Sequence, residues 1–364
     1  MEVLMERIKK ISLSLASAVL TGLCFWGLTV FSGEVAAAVR EAVLRCVNVM
    51  VPSLFAVTAV SSIVMSSGLY RYAALTLRPI AKYIFRLPDE LFAVLILSNV
   101  SGYPIGIKLL SELYEKGLTD KQSAELMACC CYCGGPAFYT SAIGLAVFGD
   151  IKCGVIVFAS VAGANLFSAI IIGHIFKPKI RSSDMKLNFS GELISSAVMS
   201  AGRTMLTVCA FIAAFSVPTA IIDSSGIIDR LCEHFGAGSS GSVLIRSCLE
   251  ISNISGLRGT PYGLLPLISA ICSFGGLCIV FQLGAVRSSG VSLVPFLISR
   301  VPLAAISFLI SLFLRRQFLP TALPAFSVKR DVFVRIDNFT PSFCLIMLIL
   351  LLNLKRTLAF SKRV

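Results

Sequence analysis

Two polar motifs of the same pattern interrupt apolar runs of this chain. One reads SNVSG within the run 91–110, and the other reads SNISG within the run 243–257. Asn and Ser side chains supply amide and hydroxyl groups that can bind a solute, and Gly lets the backbone approach it closely. The candidate binding residues are Ser98, Asn99, Ser101 and Gly102 in the first motif, and Ser252, Asn253, Ser255 and Gly256 in the second. The alternative is that these small polar residues only pack helices together.

The residues that follow the two motifs differ in chemistry. Tyr103 and Pro104 follow the first motif, whereas Leu257 and Arg258 follow the second. This asymmetry fits a ligand with one aromatic or apolar face and one anionic end. Tyr103 could equally be an anchor at the membrane interface.

Two glycine pairs predict further breaks in helices. Gly134-Gly135-Pro136 follows a helical segment of the first half, and Gly275-Gly276 interrupts the apolar run 264–283. Gly and Pro disfavour a helix interior, and a broken helix at membrane depth is tolerated where protein or a water-filled cavity satisfies its backbone. We therefore expect the four breaks to form a substrate site, as broken helices do in many secondary transporters.

Three charged residues in apolar segments are candidates for coupling or for contact with an anionic group. They are Glu250, Arg203 and Arg300. A charge inside a membrane span is costly and is often functional. For Glu250 the alternative is a structural ion pair with Arg246, four residues earlier on the same helical face. For the two arginines, and for Arg258, the alternative is a guanidinium that reaches the membrane surface.

The composition is that of a polytopic membrane protein. Of the 364 residues, 56% are hydrophobic and only 14% are charged, whereas soluble domains carry about 25% charged residues. The net charge of +13 comes from basic residues in short loops beside apolar segments. Such a distribution is typical of the positive-inside rule and of contact with anionic lipid. We expect the lipid bilayer as a partner and no nucleic acid.

No cofactor, metal site or catalytic motif is predicted. Four cysteines cluster at 129–133, but the chain has only two His and no spaced pair of CxxC motifs. Apolar packing is therefore the favoured interpretation of these thiols. The sequence also lacks GxSxG, HExxH and Walker A motifs. We expect a protein that is not an enzyme.

The motifs and glycine pairs recur in the same order, which predicts two repeated units in an all-α polytopic membrane protein. Gly68 and Gly226, each after two serines, add a further match. We expect re-entrant helices and inverted units, although the loop charges favour neither orientation. The predicted organisation is an N-terminal membrane helix and connector at 1–42, a first unit at 43–176, a basic linker at 177–192, a second unit at 193–314, and a basic tail at 315–364 with a short apolar segment at 343–352.

Three stretches of the chain resemble a known family. SNVSGYPIG from Ser98, CGGPAFYTSAIG from Cys133 and FGGLCIVFQ from Phe274 resemble the nucleoside-recognition, or Gate-domain, membrane proteins. Within them the chain resembles the sporulation integral membrane protein YlbJ group over residues 40–310. The resemblance implies a fold related to concentrative nucleoside transporters and a role in bacterial sporulation. The chain departs from the pattern at Cys133, where an Asn is common, so a substrate bound by that Asn would differ here.

The motifs and the resemblance together predict a secondary transporter, multi-pass in the bacterial cell membrane. The expected partner is a small-molecule substrate, anionic and aromatic, such as dipicolinate or a nucleoside-like compound. The alternative from another class is a membrane assembly or scaffold factor for the spore envelope. The sequence leaves open the coupling ion, the direction of transport and whether the chain forms a homo-oligomer.

Overall fold

The computed structural model describes residues 21–22, 25–70, 77–181, 189–236 and 238–319. Within these ranges the chain is helical and contains no strand, and one antiparallel bridge pairs Thr119 with Ile180. The predicted apolar segment at 343–352, most of the predicted N-terminal membrane helix and part of the basic linker lie outside the described residues.

The first half of the chain contains seven named helices, of which the first two are continuous through a π-helical turn. Its elements are α1 (Ser32–Arg45), α2 (Val51–Ser66), α3 (Asp89–Ser101), α4 (Ile105–Glu115), α5 (Lys121–Ala128), α6 (Pro136–Phe148) and α7 (Ile151–Ile175). A π-helical turn, Cys46–Met50, joins α1 to α2, and another, Ile80–Phe85, precedes α3. Most of α6 is also π-helical.

The second half begins with the longest helix of the described chain. Its elements are α8 (Gly191–Ser225), α9 (Ile227–His234), α10 (Gly238–Leu249), α11 (Leu265–Phe274), α12 (Leu277–Val286) and α13 (Val294–Phe318). A 3-10 turn, Ile251–Gly256, follows α10 and carries the second SNxSG motif. The 35 residues of α8 span roughly 50 Å at the rise of an α-helix. Because a bilayer core is only ~30 Å thick, α8 must tilt or extend beyond it.

Four segments of the described chain are long and apolar enough to cross a membrane. They are α7, α8, Tyr262–Val286 and α13. The third segment holds both α11 and α12 and is interrupted at Gly275. The predicted all-α polytopic architecture is confirmed, whereas the internal repeat and its inversion stay predictions.

The long helices pack across the two halves of the chain. α13 lies against α11 and α7, and α8 lies against α1 and α2. Between α11 and α13, Ser269 donates a hydrogen bond to Ser311 (2.9 Å), and Ser307 donates to the Ser269 carbonyl (3.2 Å). Small hydroxyl residues let these helices approach each other, and their hydrogen bonds stabilise the contact where apolar burial alone does not favour protein over lipid.

Glycines with positive φ occur at three of the predicted breaks. Gly102 (φ +86°) ends α3, Gly135 (φ +80°) precedes α6, and Gly275 (φ +82°) ends α11. Glycine adopts this backbone region without the steric cost that other residues meet. The first SNxSG motif forms the last turn of α3, whereas the second follows its break, which lies at Glu250 in extended conformation. The two motifs therefore differ in local structure although their sequences match.

Some predicted boundaries differ from the observed elements. The capping-box pattern at 119–122 predicts Thr119 as the N-cap of α5, but the N-cap is Asp120, whose carboxylate accepts from the Ser123 N–H (2.7 Å). Thr119 instead donates to the Lys179 carbonyl (3.0 Å). The predicted domain boundaries at 42 and 192 fall inside α1 and α8, because both helices continue through them.

Candidate functional site

The two breaks of the first half lie against each other. A Cβ atom at Gly102 would lie 3.1 Å from the Gly134 carbonyl oxygen, and one at Gly135 would lie 3.4 Å from Gly102 Cα. Because glycine has no Cβ, the end of α3 packs directly on the chain that enters α6. Pro136 is the first residue of α6, where its missing N–H costs no helical hydrogen bond.

The two breaks of the second half are also in contact. Gly276 is the N-cap of α12, and a Cβ atom on it would lie 3.1 Å from the Ile251 nitrogen and 3.2 Å from the Leu249 carbonyl oxygen. The interruption within Tyr262–Val286 thus packs on the break between α10 and the 3-10 turn. Each predicted pair of breaks is brought together within its own half of the chain.

The first SNxSG motif lies in contacts between helices. Asn99 is buried, and its Oδ1 accepts a hydrogen bond from Asn165 of α7 (3.0 Å). Ser101 shares a short hydrogen bond with Ser61 of α2, and Ser98 donates to a carbonyl one turn earlier in α3 (2.9 Å). These contacts correspond to the packing role that the sequence left open as the alternative.

The second SNxSG motif lies beside a polar cavity of about 120 Å³, which Glu250 and Asn253 line. The buried Glu250 carboxylate caps the 3-10 turn, because it accepts from the Ser252 N–H (3.1 Å) and from the Ser252 hydroxyl. Arg45 Nη1 lies 3.9 Å from Glu250 Oε2 and also donates to the Ser252 hydroxyl. The Asn253 amide donates to the Arg246 carbonyl (3.2 Å). Ser255 Oγ donates back within the turn, to the Ser252 carbonyl (2.8 Å).

Helices α1 and α8 complete the cavity with one face each. The lining residues are Ala38, Glu41, Ala42 and Arg45 of α1, and Ile212, Ser216, Thr219, Ala220 and Asp223 of α8. Spacings of three and four residues put each set on one side of its helix. Glu41 is exposed, so the cavity reaches the protein surface. The cavity has room for several water molecules and combines small side chains with convergent polar groups, as binding sites do.

The charges around the cavity form pairs. Arg45 pairs with Glu250, and Arg246 pairs with Asp223 (Nε to Oδ1, 2.6 Å) and with Asp229 (Nη2 to Oδ2, 2.8 Å). The ion pair of Glu250 with Arg246, which the sequence suggested as an alternative, is absent from the described residues. Arg246 instead contacts the carboxylates of Asp223 in α8 and Asp229 in α9. The partner of Glu250 is Arg45, which lies 205 positions earlier in the sequence.

Sequence reasoning missed the contribution of α1 and α8 to the cavity. Glu41 lies in the predicted N-terminal connector, and Arg45 and Asp223 lie in the two predicted units, with no functional role predicted for any of the three. The signal that could have found them is a helical spacing of small and polar residues in otherwise apolar segments. Ser216, Thr219 and Asp223 have this spacing in α8.

An aromatic cluster joins the first break to α13. Tyr103 stacks on Tyr132, with ring centroids 5.4 Å apart and 15° between the planes, and meets Phe138 of α6 edge-on. Tyr132 in turn meets Phe296 of α13 at 5.2 Å. Tyr103 therefore packs against rings from the break between α5 and α6 and from α6 itself. Pro104, which is buried, follows it as the N-cap of α4.

The three predicted arginines have different surroundings. Arg300 is buried, at 1% exposure, and its guanidinium donates to the carbonyls of Cys129 and Ser273. Arg203 lies on an exposed face of α8, and Arg258 is exposed in the turn after the 3-10 turn. Neither of these two lines the cavity.

The clustered cysteines pack in the break between α5 and α6. Cys129, Cys130, Cys131 and Cys133 are buried free thiols. Over the described ranges of the chain, no group of three or more His, Cys, Asp or Glu residues could hold a metal ion.

The fold and the cavity define the class of this protein: an all-α, multi-pass membrane protein in which two continuous helices and one helix break line a polar cavity. The chain is similar to the sporulation integral membrane protein YlbJ of Bacillus subtilis (strain 168). The two are 23% identical over 294 residues, which cover 70% of this chain and 71% of that protein. This similarity confirms the predicted resemblance to the YlbJ group. No family model and no solved structure matches the chain, so the Gate domain stays a prediction.

Proposed function

We propose that this protein is a secondary transporter that moves a small solute across the membrane. The observation that carries the proposal is the polar cavity between α1, α8 and the second break, where Glu250 and Asn253 lie near Arg45. Secondary transporters bind their substrates at discontinuous helices near the middle of the bilayer. The contact between the breaks within each half supports the same interpretation.

The proposed substrate is a small anionic and aromatic solute, such as dipicolinate or a nucleoside-like compound. This substrate class and a role in bacterial sporulation are suggested by the resemblance to the YlbJ group, whose Bacillus subtilis member is a sporulation integral membrane protein. In the cavity, the Arg45 guanidinium and the Asn253 amide supply donors for a carboxylate or a carbonyl oxygen. The proposed substrate site is therefore smaller than the predicted one: it consists of the second SNxSG motif, Glu250 and the cavity-lining residues of α1 and α8.

An anionic substrate in this cavity needs a proton or a cation beside it. Among the described residues, the charged groups that line the cavity are the carboxylates of Glu41, Asp223 and Glu250 and the guanidinium of Arg45. Arg246 pairs with Asp223 from outside the lining, so Glu41 and Glu250 are the carboxylates that would repel an anion, strongly where the dielectric constant is low. We therefore assign Glu250 to the coupling proton or cation and Arg45 to the substrate. Arg203, on an exposed face, has no part in this scheme.

Ligand-induced thermal stabilisation of the purified full-length protein tests the proposal. Dipicolinate or a nucleoside is expected to raise the melting temperature saturably. Asn253→Ala should remove that shift while lowering the melting temperature of the ligand-free protein only slightly, since among the described residues its side chain makes one hydrogen bond, to the Arg246 carbonyl. A protein that responds to none of these solutes and co-purifies with a stable partner would favour the assembly or scaffold alternative.

A further inference from the structure

Arg300 is buried, and no acidic side chain among the described residues balances the positive charge of its guanidinium. The residue is 1% exposed and lies in the second turn of α13. In the described part of the chain, no carboxylate forms an ion pair with its guanidinium. An isolated buried charge is strongly destabilising, so other groups must compensate this one.

The compensating groups are the C-terminal ends of two helices, one from each half of the chain. Arg300 Nη2 donates to the carbonyl of Cys129, the C-cap of α5, and Nη1 donates to the carbonyl of Ser273 in the last turn of α11 (3.3 Å). The end of a helix carries roughly half a negative charge and free carbonyl oxygens. Two such ends together match the single positive charge of a guanidinium.

Two aromatic rings and a hydroxyl complete the surroundings of the guanidinium, whose Nε alone lacks a hydrogen-bond partner among the described residues. Its Cζ atom lies 4.4 Å from the centroid of the Phe296 ring and 4.9 Å from that of the Tyr132 ring, within the range of cation–π attraction. Arg300 Nη2 also reaches the Ser299 hydroxyl (3.2 Å). Carbonyl oxygens and aromatic faces, without a carboxylate, bind a monovalent organic cation rather than a divalent metal.

We propose that the ends of α5 and α11 form a monovalent-cation site and that the Arg300 guanidinium is its permanent, covalently attached occupant. Both helices end at predicted breaks, and the C-terminal ends of broken helices are where transporters coordinate mobile cations. Arg300 therefore fills this position, joins the two halves of the chain, and excludes a mobile ion from it. The inference holds whether or not the protein transports a solute.

Chemical rescue of a truncated side chain tests this site. Arg300→Ala in the purified full-length protein is expected to lower the melting temperature by roughly 5 °C or more, since it leaves two helix ends uncompensated. Methylguanidinium at millimolar concentration should restore at least half of that loss saturably, whereas equal ionic strength of NaCl should restore less. Arg258→Ala is the matched control, because Arg258 is exposed; it should melt as the wild type and show no response.

Two further variants keep the proposal testable if Arg300→Ala does not fold. Arg300→Lys retains the charge with fewer donors, and Arg300→Gln retains polarity without the charge. The Lys variant should melt below the wild type and above the Gln variant. A Gln variant as stable as the Lys variant, or an Ala variant that melts like the wild type or ignores methylguanidinium, would overturn the proposal.

Discussion

Two asparagines in the same sequence pattern have different surroundings in this protein. Asn99 is buried between α3 and α7 and bonds to Asn165, whereas Asn253 lies beside the polar cavity and bonds only to a backbone carbonyl of α10 among the described residues. The difference arises because the first motif ends a helix and the second follows an extended residue, Glu250. The chemistry of the candidate site therefore belongs mainly to the second motif.

The Arg45–Glu250 pair should contribute measurably to stability. Its two members lie in α1 and at the second break, with side chains 31% and 8% exposed. In a double-mutant cycle of Arg45→Gln and Glu250→Gln, we expect a coupling free energy of about 1 kcal/mol, read from thermal unfolding of the four forms. The double variant should thus lose less stability than the sum of the single variants.

The pair Arg78–Asp89 provides the control for this cycle. Its atoms lie 3.5 Å apart, but the Arg78 side chain is 61% exposed. Solvent screening makes such pairs weak, so Arg78→Gln and Asp89→Asn should have additive effects. Equal coupling in the two cycles would mean that Arg45 and Glu250 do not interact as the cavity geometry implies.

At the scale of elements, the helix breaks depend on glycines at positions where a side chain would overlap neighbouring atoms. Gly275 has φ +82°, and a Cβ atom there would overlap the Tyr132 hydroxyl. Tyr132 lies in the break of the first half, so this contact joins a break of one half to a break of the other. The position of Tyr132 therefore depends on the absence of a side chain at Gly275.

Gly275→Ala should destabilise the protein for two separable reasons. The backbone of Gly275 (φ +82°, ψ +156°) lies in a region that is essentially confined to glycine, and a residue with a Cβ there costs about 1–3 kcal/mol. The overlap with Tyr132 adds to this cost. Thermal unfolding should show a lower melting temperature for Gly275→Ala, and Tyr132→Phe in the same chain should recover part of the loss by removing the hydroxyl. Gly202→Ala, in α8 with open space around it, should leave the melting temperature nearly unchanged.

A different outcome would separate the two causes. If the Gly275→Ala variant were as stable as the Gly202→Ala variant, both proposed causes, the positive φ and the overlap with Tyr132, would be contradicted. If adding Tyr132→Phe to Gly275→Ala recovered none of the lost stability, the loss would come from the backbone conformation, and the overlap with the Tyr132 hydroxyl would not contribute to it.

The breaks could be predicted from the sequence because they depend on local backbone preference. Gly102, Gly135 and Gly275 all have the positive φ that glycine adopts most readily. The partner of Glu250 could not be predicted in this way, because Arg45 is 205 residues away and its pairing depends on how α1 packs on α8. The sequence also could not separate Asn99 from Asn253, because the two motifs differ only in Val100 and Ile254, two apolar residues of similar shape. Tertiary contacts alone distinguish the two.

At the scale of the whole molecule, the cavity exists because distant parts of the chain meet. α1 from the start of the described chain packs on α8, and the second break closes the space between them. The composition predicts a membrane protein made of helices, but the position of the cavity depends on which of these helices lie next to each other. The transport proposal is therefore a property of the assembled fold and is tested on the intact protein in a bilayer.

Uptake of labelled dipicolinate into liposomes that contain the purified full-length protein tests the central claim most directly. The wild type should accumulate the solute when a proton or cation gradient is imposed. Asn253→Ala should reduce uptake about tenfold or more, since a hydrogen bond to a charged group is worth ~1.5–3 kcal/mol. Glu250→Gln should also reduce gradient-driven uptake, since the neutral amide can neither carry the coupling proton nor supply a negative charge for a coupling cation. Asn99→Ala, the matched substitution in the first motif, should lower the melting temperature but retain uptake per folded molecule. Uptake by Asn253→Ala equal to that of the wild type, or no uptake of dipicolinate or nucleosides by the wild type, would contradict the account.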